Sequence, residues 1–423
     1  MSVPQLPAVD SIITEAVAAV AASEKGRRAL QIALDEVDRA MLEQIELCEI
    51  EAPTFAEEKR AARLAELLRA YGLKDVVIDP IGNVVGRRPG RGNGPVLALG
   101  AHMDSVFPAG TNVKVRREGN RYIAPGIGDN CTGLRTLLQI LRMFEIAGIE
   151  TEGDSLFVGT VGEEGNGDIR GSKDLCSGKR HLDGFIAIDS TDVGRILRGA
   201  TGSHRWRISV DGRGGHSYAK FGACPSAVHA ICRAGAKIAD FEVPKDPKTT
   251  FTIGTMKGGT SVNTIAAHAE VDVDMRSVDN DELLKLEARV LKAFEEAVAE
   301  ENARWGIDGG EYELKLTTTQ IGNRPAGMRP DSCPVLQAAR AAQSQLGIEL
   351  TSYVCSSTDA NAPMSLGIPS TCLSTGGIGV NAHSLTEYFD MVDTHLGPQL
   401  IFLTAAALVG ACGVKPVLPV REG

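Results

Sequence analysis

Val96-Leu97-Ala98-Leu99-Gly100-Ala101-His102-Met103-Asp104 is an almost continuously apolar run that ends in a histidine and an aspartate two residues apart. A run of this kind predicts a strand buried on both faces, and such strands belong to parallel sheets covered by helices. Two more runs repeat the pattern. Residues 155–161 lead into Gly162-Glu163-Glu164, and residues 184–188 lead directly into Asp189. In open α/β sheets, ligands bind outside the carboxyl ends of the strands. Three successive strands are therefore expected to present metal-competent side chains on one edge.

Outward from this core, apolar residues recur at helical spacing over residues 9–22, 27–50, 56–71 and 133–146, and short strands are expected at 75–78 and 84–87. The texture changes from about Gly202 to Gly322. Residues 205–210, 250–256, 270–275 and 311–317 alternate as strands, while 226–241 and 282–302 have helical periodicity. That order, β-α-β-β-α-β, is the ferredoxin-like arrangement. The expected fold is α/β: a doubly wound, mostly parallel sheet in a discontinuous catalytic domain (1–201 and 323–423), interrupted by an inserted α+β, ferredoxin-like domain (202–322).

Composition narrows the function classes. A chain of 423 residues fits two to three domains at roughly 150 residues each. With 43% hydrophobic and 23% charged residues, disorder, collagen and disulfide-stapled miniproteins are excluded. Lys and Arg number 44 against 54 Asp and Glu, a net charge of −10 with no basic block, which argues against nucleic-acid binding. The nine cysteines are scattered without a C-x-x-C pair, so reduced thiols are expected and a thiolate zinc site is not. No basic n-region opens the chain, and the apolar run 400–413 is too short to span a bilayer, so it reads as a buried helix. A cytoplasmic protein without a membrane partner is the expectation. The 47 glycines exceed the roughly 30 that average usage would give, and many sit beside His, Asp or Glu.

Two further metal-ligand candidates lie in glycine-rich loops. Asp129 falls in Pro125-Gly126-Ile127-Gly128-Asp129-Asn130, just before a helix, and His383 in Gly376-Gly377-Ile378-Gly379-Val380-Asn381-Ala382-His383. Each alone has an ordinary reading: a solvated loop histidine, or a helix N-cap aspartate. Acids at the ends of apolar strands, however, cost stability unless paired, hydrogen-bonded or coordinated. Two histidines and three carboxylates suit zinc, with cobalt or manganese as alternatives. Five ligands exceed the needs of one tetrahedral catalytic ion, so two ions bridged by a carboxylate, about 3.5–4 Å apart, fit better. Of Glu163 and Glu164, one would bind metal while the other serves as general base toward water at the centre. In His102-x-Asp104, positions i and i+2 share a face of an extended segment, so Asp104 is expected to orient the His102 ring.

His102-Met103-Asp104-Ser105, Gly128-Asp129-Asn130, Gly162-Glu163-Glu164-Gly165, Ile188-Asp189-Ser190-Thr191, Gly214-Gly215-His216-Ser217 and Ala382-His383 together resemble the M20 metallopeptidases. That group includes tripeptidase T-like aminopeptidases, carboxypeptidase G-like enzymes, and acetylornithine or succinyl-diaminopimelate deacylases. The resemblance runs from about Leu42 to Phe402. It implies that His102 and Asp189 hold one ion, Glu164 and His383 the other, and Asp129 bridges them, with Glu163 as base and Asp104 as orienting group. It also implies a cis Asp129-Asn130 peptide, a lid domain that mediates homodimerisation, and substrate contacts from His216, Asn263 and Arg324.

The implied activity is hydrolysis of a short peptide by an exopeptidase, with the tripeptidase T-like aminopeptidases as nearest branch through Gly-Gly-Thr-Ser-Val-Asn, Ser-Thr-Asp-Ala-Asn and Gly-Glu-Glu-Gly. That branch usually has Asp before the Glu pair where this chain has Gly162. The alternative is an amidohydrolase or deacylase of N-acyl amino acids; a non-catalytic peptide-binding protein on the same fold is the third reading. No Gly-x-Ser-x-Gly elbow supports a serine nucleophile. His181, His204, His229, His268 and His395 read as surface or satisfied histidines, and 357–361 as a segment lining the pocket.

Overall fold

Successive side chains of the strand Val96–His102 enter two different cores. In the computed structural model, which describes residues 5–92 and 94–421, Leu97, Leu99 and Ala101 join one apolar cluster and Ala98 another. Neighbouring strands divide in the same way, with Phe157, Ile186 and Ile188 on the first side and Leu156, Val158, Phe185 and Ala187 on the second. This is the two-residue period of a strand with apolar material above and below it. The order across the sheet is Asp75–Ile78, Val84–Arg88, Asp154–Thr160, Val96–His102, Gly184–Ile188, Ser370–Leu373. The last four are parallel, and the first two form an antiparallel edge.

From Val96–His102 the chain moves to one neighbour through the helix Cys131–Ile146 and later to the neighbour on the opposite side. A crevice opens at the carboxyl ends where the winding direction reverses. On the first face lie the helices Ser11–Ala22, Glu24–Asp35, Cys131–Ile146, Pro334–Gln345 and Leu396–Val409. Leu396–Val409 is apolar all round and buried from Gly397 onward, as a core helix must be. The other face carries the short helices Arg170–Leu175 and Asn361–Ser365 and a parallel pair, Arg195–Ala200 with Ser352–Ser356.

The chain divides into two compact units: Thr201–Gly327, and the segments flanking it. In the inserted unit the sheet order is Thr249–Gly258, His268–Ser277, Gly202–Asp211, Lys315–Arg324, all antiparallel. The helices Ala227–Ala239 and Asn280–Arg304 pack on one face, over Ala269, Val271, Val273 and Met275. Element order and topology are ferredoxin-like.

Some expectations needed correction. The helix expected over 27–50 is two, Glu24–Asp35 and Val37–Cys48, broken at Glu36, where φ is −100° and ψ is 13°. The bend lets Glu36 and Glu43 both reach the buried Arg142 guanidinium, and the apolar period continues across it because both helices bury the same side. The strand expected over 311–317 is Lys315–Arg324; its entry is fixed by Asn302, which bonds both backbone groups of Leu314. A small antiparallel sheet of Ile378–Val380, Tyr388–Asp390, Arg121–Ile123 and Arg116–Glu118 was not expected. All nine cysteines are free. Among the described residues, no helix is long and apolar enough to cross a membrane.

Candidate metal centre

His102 is the last residue of its strand, and Glu163-Glu164 and Asp189 follow the ends of the two flanking strands. Asp129 reaches the same edge by a different route. Asn130, rather than Asp129, caps the helix Cys131–Ile146: its side-chain oxygen accepts from Gly133 N at 3.0 Å, while its amide donates to the Ile188 carbonyl at 2.9 Å. The cap ties the helix to the end of the Gly184–Ile188 strand and leaves the Asp129 carboxylate for the crevice. The Asp129-Asn130 peptide is cis. His383 sits in the loop of the hairpin formed by Ile378–Val380 and Tyr388–Asp390.

These five side chains converge as two trios that share Asp129: His102, Asp129 and Asp189, and Asp129, Glu164 and His383, the ligand atoms of each lying within 4.8 Å of one another. A third trio is His102, Glu163 and Glu164. His102 Nε2 lies 3.1 Å from Asp129 Oδ1, and His383 Nε2 lies 3.2 Å from Asp129 Oδ2 and 3.0 Å from Glu164 Oε1. Ligand atoms 2.0–2.1 Å from one tetrahedral ion stand about 3.3 Å apart, so the spacing fits shared coordination. Asp129 Oδ1 is buried, and beside the close approach of His102 Nε2 it accepts no well-aligned hydrogen bond among the described residues, so its bonding capacity suits a cation.

Electrostatics point the same way. Asp104, Asp129, Glu163, Glu164 and Asp189 are five carboxylates gathered around two imidazoles. Burial opposes charge on His102, yet the Asp104 and Asp129 carboxylates outweigh it and hold the imidazole well above its usual range. The Asp129 hydrogen bond, working against burial and aided by Glu164, pushes His383 up to about 9. Burial and then the Asp129 charge raise both Glu164 and Asp189. A cluster with this excess of buried acid is costly without cations.

Asp104 faces both the His102 ring and the turn that carries the two glutamates. His102 Nδ1 lies 3.1 Å from the Asp104 backbone carbonyl and 3.5 Å from its carboxylate. The fully buried carboxylate also accepts from Glu163 N at 2.9 Å, Glu164 N at 3.0 Å and Thr54 Oγ1 at 2.9 Å. It therefore clamps the turn that carries both glutamates, against burial that alone would raise it; the His102 bond and these donors hold the carboxyl below its ordinary range.

Three partners of the site, Glu57, Arg170 and Glu387, carry no sequence signal. Glu57 accepts from Gly162 N at 3.1 Å and from Arg170 through both carboxylate oxygens, at 3.0 and 2.9 Å. Gly162 needs its missing side chain: its φ is +64°, and a Cβ there would lie 1.9 Å from Arg170 Nη1. Glu387, four residues after His383, accepts from three backbone N–H groups of the Asp129 loop. Burial outweighs those donors and pushes its carboxyl up to about 7.

His216, Asn263 and Arg324 belong to the inserted unit. His216 is exposed, and its Nδ1 accepts from Tyr218 N at 3.2 Å; the exposed Asn263 accepts from Ser261 Oγ at 2.7 Å. Arg324 is buried at the end of its strand, opposite Ser203. Of the other histidines, His181 pairs with Asp183, His204 with Glu287, His229 with Glu301 and His268 with Asp211. In segment 357–361, Asp359 is buried and accepts from Thr160 Oγ1 at 2.5 Å.

The sequence model of peptidase family M20/M25/M40 matches residues 98–407, which takes in all of these candidate ligands. The chain belongs to that family. As an M20 protein it is a hydrolase of the metallopeptidase and amidohydrolase kind. Its relatives include the uncharacterized protein YqjE of Bacillus subtilis (strain 168), 26% identical over 358 residues, or 81% of this chain and 88% of the relative. A succinyl-diaminopimelate desuccinylase of Leptothrix cholodnii is 27% identical over 278 residues, 60% of this chain and 71% of the relative. The crystal structure of a tripeptidase from Staphylococcus aureus superposes with a TM-score of 0.71 at 24% identity, covering 87% of this chain and 97% of that one. At that identity it shows the M20 fold alone.

Proposed function

We propose that this M20 protein is a metal-dependent exopeptidase that hydrolyses the amide bond of short peptides, of the tripeptidase T-like aminopeptidase type. The observation that carries the reading is the pair of ligand trios sharing Asp129 at the carboxyl edge of the sheet. His102 and Asp189 would hold one divalent ion, Glu164 and His383 the other, with Asp129 between them; zinc is the first expectation, cobalt or manganese the alternatives. When bound, the ions polarise the scissile carbonyl and lower the pKa of water at the site.

In this scheme Glu163 takes the proton of the attacking water and delivers it to the leaving nitrogen. Asp104 holds the Glu163 and Glu164 backbone in place through two N–H bonds. His216 is assigned to the developing oxyanion, and Asn263 and Arg324 to the substrate backbone and a substrate carboxylate, on the likeness of their motifs to the family's. The inserted unit is proposed as lid and homodimerisation domain on the same ground.

A deacylase of N-acyl amino acids is the second reading, favoured by the likeness to a desuccinylase and by Gly162 in place of the aspartate usual in the tripeptidase branch. A panel of di- and tripeptides with free and blocked N-termini separates the two. Cleavage of free tripeptides from the amino end supports the aminopeptidase; cleavage of blocked substrates alone overturns it in favour of the deacylase.

A further inference from the structure

Glu387 joins the two loops that bring ligands to the site from outside the main sheet. It leaves the hairpin that carries His383 and enters the loop that carries Asp129. Its side chain is 1% exposed. One carboxylate oxygen accepts from Gly126 N at 2.7 Å, and the other accepts from Gly128 N and Asp129 N, both at 2.8 Å. Among the described residues it forms no ion pair with Lys, Arg or His, so these backbone donors are what hold it. Three N–H groups aimed at one carboxylate fix the path of residues 126–129, and with it the direction in which the Asp129 side chain leaves the backbone.

Gly128 fits the same arrangement from the other side. Its backbone is not in the left-handed region, so an alanine there would not meet the penalty of that conformation. A Cβ at Gly128 would, however, lie 2.8 Å from Glu387 Oε1. The absence of a side chain at this position is what allows the carboxylate to approach.

We infer that Glu387 is a positioning residue that sets Asp129, the shared member of both ligand trios, and couples it to His383. The inference rests on the metal reading proposed above. Glu387 touches neither substrate nor ion in this role; it acts through the Asp129 backbone. A glutamine is the informative replacement. Its amide nitrogen must face at least one of the three N–H donors whichever way the group is turned, so shape is kept while at least one bond is lost.

The test uses the apoprotein, titrated with Zn²⁺ alone by calorimetry, together with turnover of whichever amide substrate the wild type accepts. Glu387→Gln is expected to weaken ion binding about 10- to 100-fold, the usual effect of removing a group that orients a ligand. Its turnover should fall at limiting Zn²⁺ and recover to within about threefold of wild type when Zn²⁺ is raised a hundredfold. A merely structural tie would lower melting temperature without this metal-dependent rescue. Gly128→Ala, which displaces the carboxylate without removing it, keeps the test alive if the glutamine variant fails to fold. The double variant should be no worse than the weaker-binding single, because both act on one contact. Wild type binding two ions while both variants bind two with unchanged affinity overturns the inference alone. Wild type binding no ion overturns the metal reading, and this inference with it.

Discussion

Replacing Asp104 should cost both stability and metal affinity, and the two can be separated. The carboxylate is fully buried and accepts from Glu163 N, Glu164 N and Thr54 Oγ1. A hydrogen bond to a charged acceptor contributes about 1.5–3 kcal/mol, and a buried donor left unsatisfied costs a similar amount. Thr54 can turn its hydroxyl to another acceptor, whereas the two backbone groups cannot turn. Asp104→Asn keeps one oxygen for one of them and sets its amide against the other, a loss of about 2–4 kcal/mol. Asp104→Ala removes both and should cost more. For the smaller change, the thermal midpoint of the apoprotein should drop by about 3–6 °C, given the size of the unit that holds the site. Because Glu164 is a proposed ligand on the loosened turn, Zn²⁺ affinity should also fall about 10- to 100-fold. Differential scanning calorimetry and metal titration on the same samples provide both numbers. An Asp104→Ala protein that melts with the wild type and binds Zn²⁺ equally well would refute the clamp.

Other perturbations follow from the same geometry. Glu57→Gln should lower turnover, because the Gly162 N–H and the Arg170 guanidinium share that carboxylate; steady-state rates at saturating Zn²⁺ check it, and an unchanged kcat counts against it. Gly162→Ala should be harsher, since it combines a φ of +64° with a Cβ 1.9 Å from Arg170 Nη1; a melting temperature equal to wild type would contradict the packing. In the inserted unit, Asp274 is held below its usual range because bonds from Arg276 and Arg205 outweigh the opposing effect of burial. Its folded pKa is therefore below the unfolded value of about 3.9, and its stabilisation is present above that pH and lost as pH falls through the folded value. The melting gap between wild type and Asp274→Asn should narrow below about pH 4; a gap that widens on acidification would reverse the sign.

Much of the fold and part of the site were legible in the sequence because they obey short periods. A strand buried on both faces is a visible apolar run, and the groups placed just past its end, His102, Glu163-Glu164 and Asp189, are fixed by counting. The positioning residues were not legible, because each acts across a long separation and has an ordinary local context. Glu387 lies in a polar turn and reads as solvated; only the fold brings it, some 260 residues away in sequence, onto the Asp129 loop. Glu57 reads as a surface acid beside Glu58 and finds Arg170 through a contact spanning 113 residues. The small sheet around His383 escaped because its strands have three residues each, too few for alternation to register. The i, i+2 argument reaches the approach of Asp104 to His102, but not its bonds to the turn after the neighbouring strand.

In the proposed mechanism two ions share Asp129, and Glu163 moves the proton without holding either ion. Metal content per chain measured by elemental analysis on Glu163→Gln, alongside its turnover, addresses both halves. Two ions per chain are expected, as in wild type, with turnover lowered by about 10²–10⁴-fold or more. Parallel loss of an ion and of activity would make Glu163 a ligand and contradict the proposed division of labour.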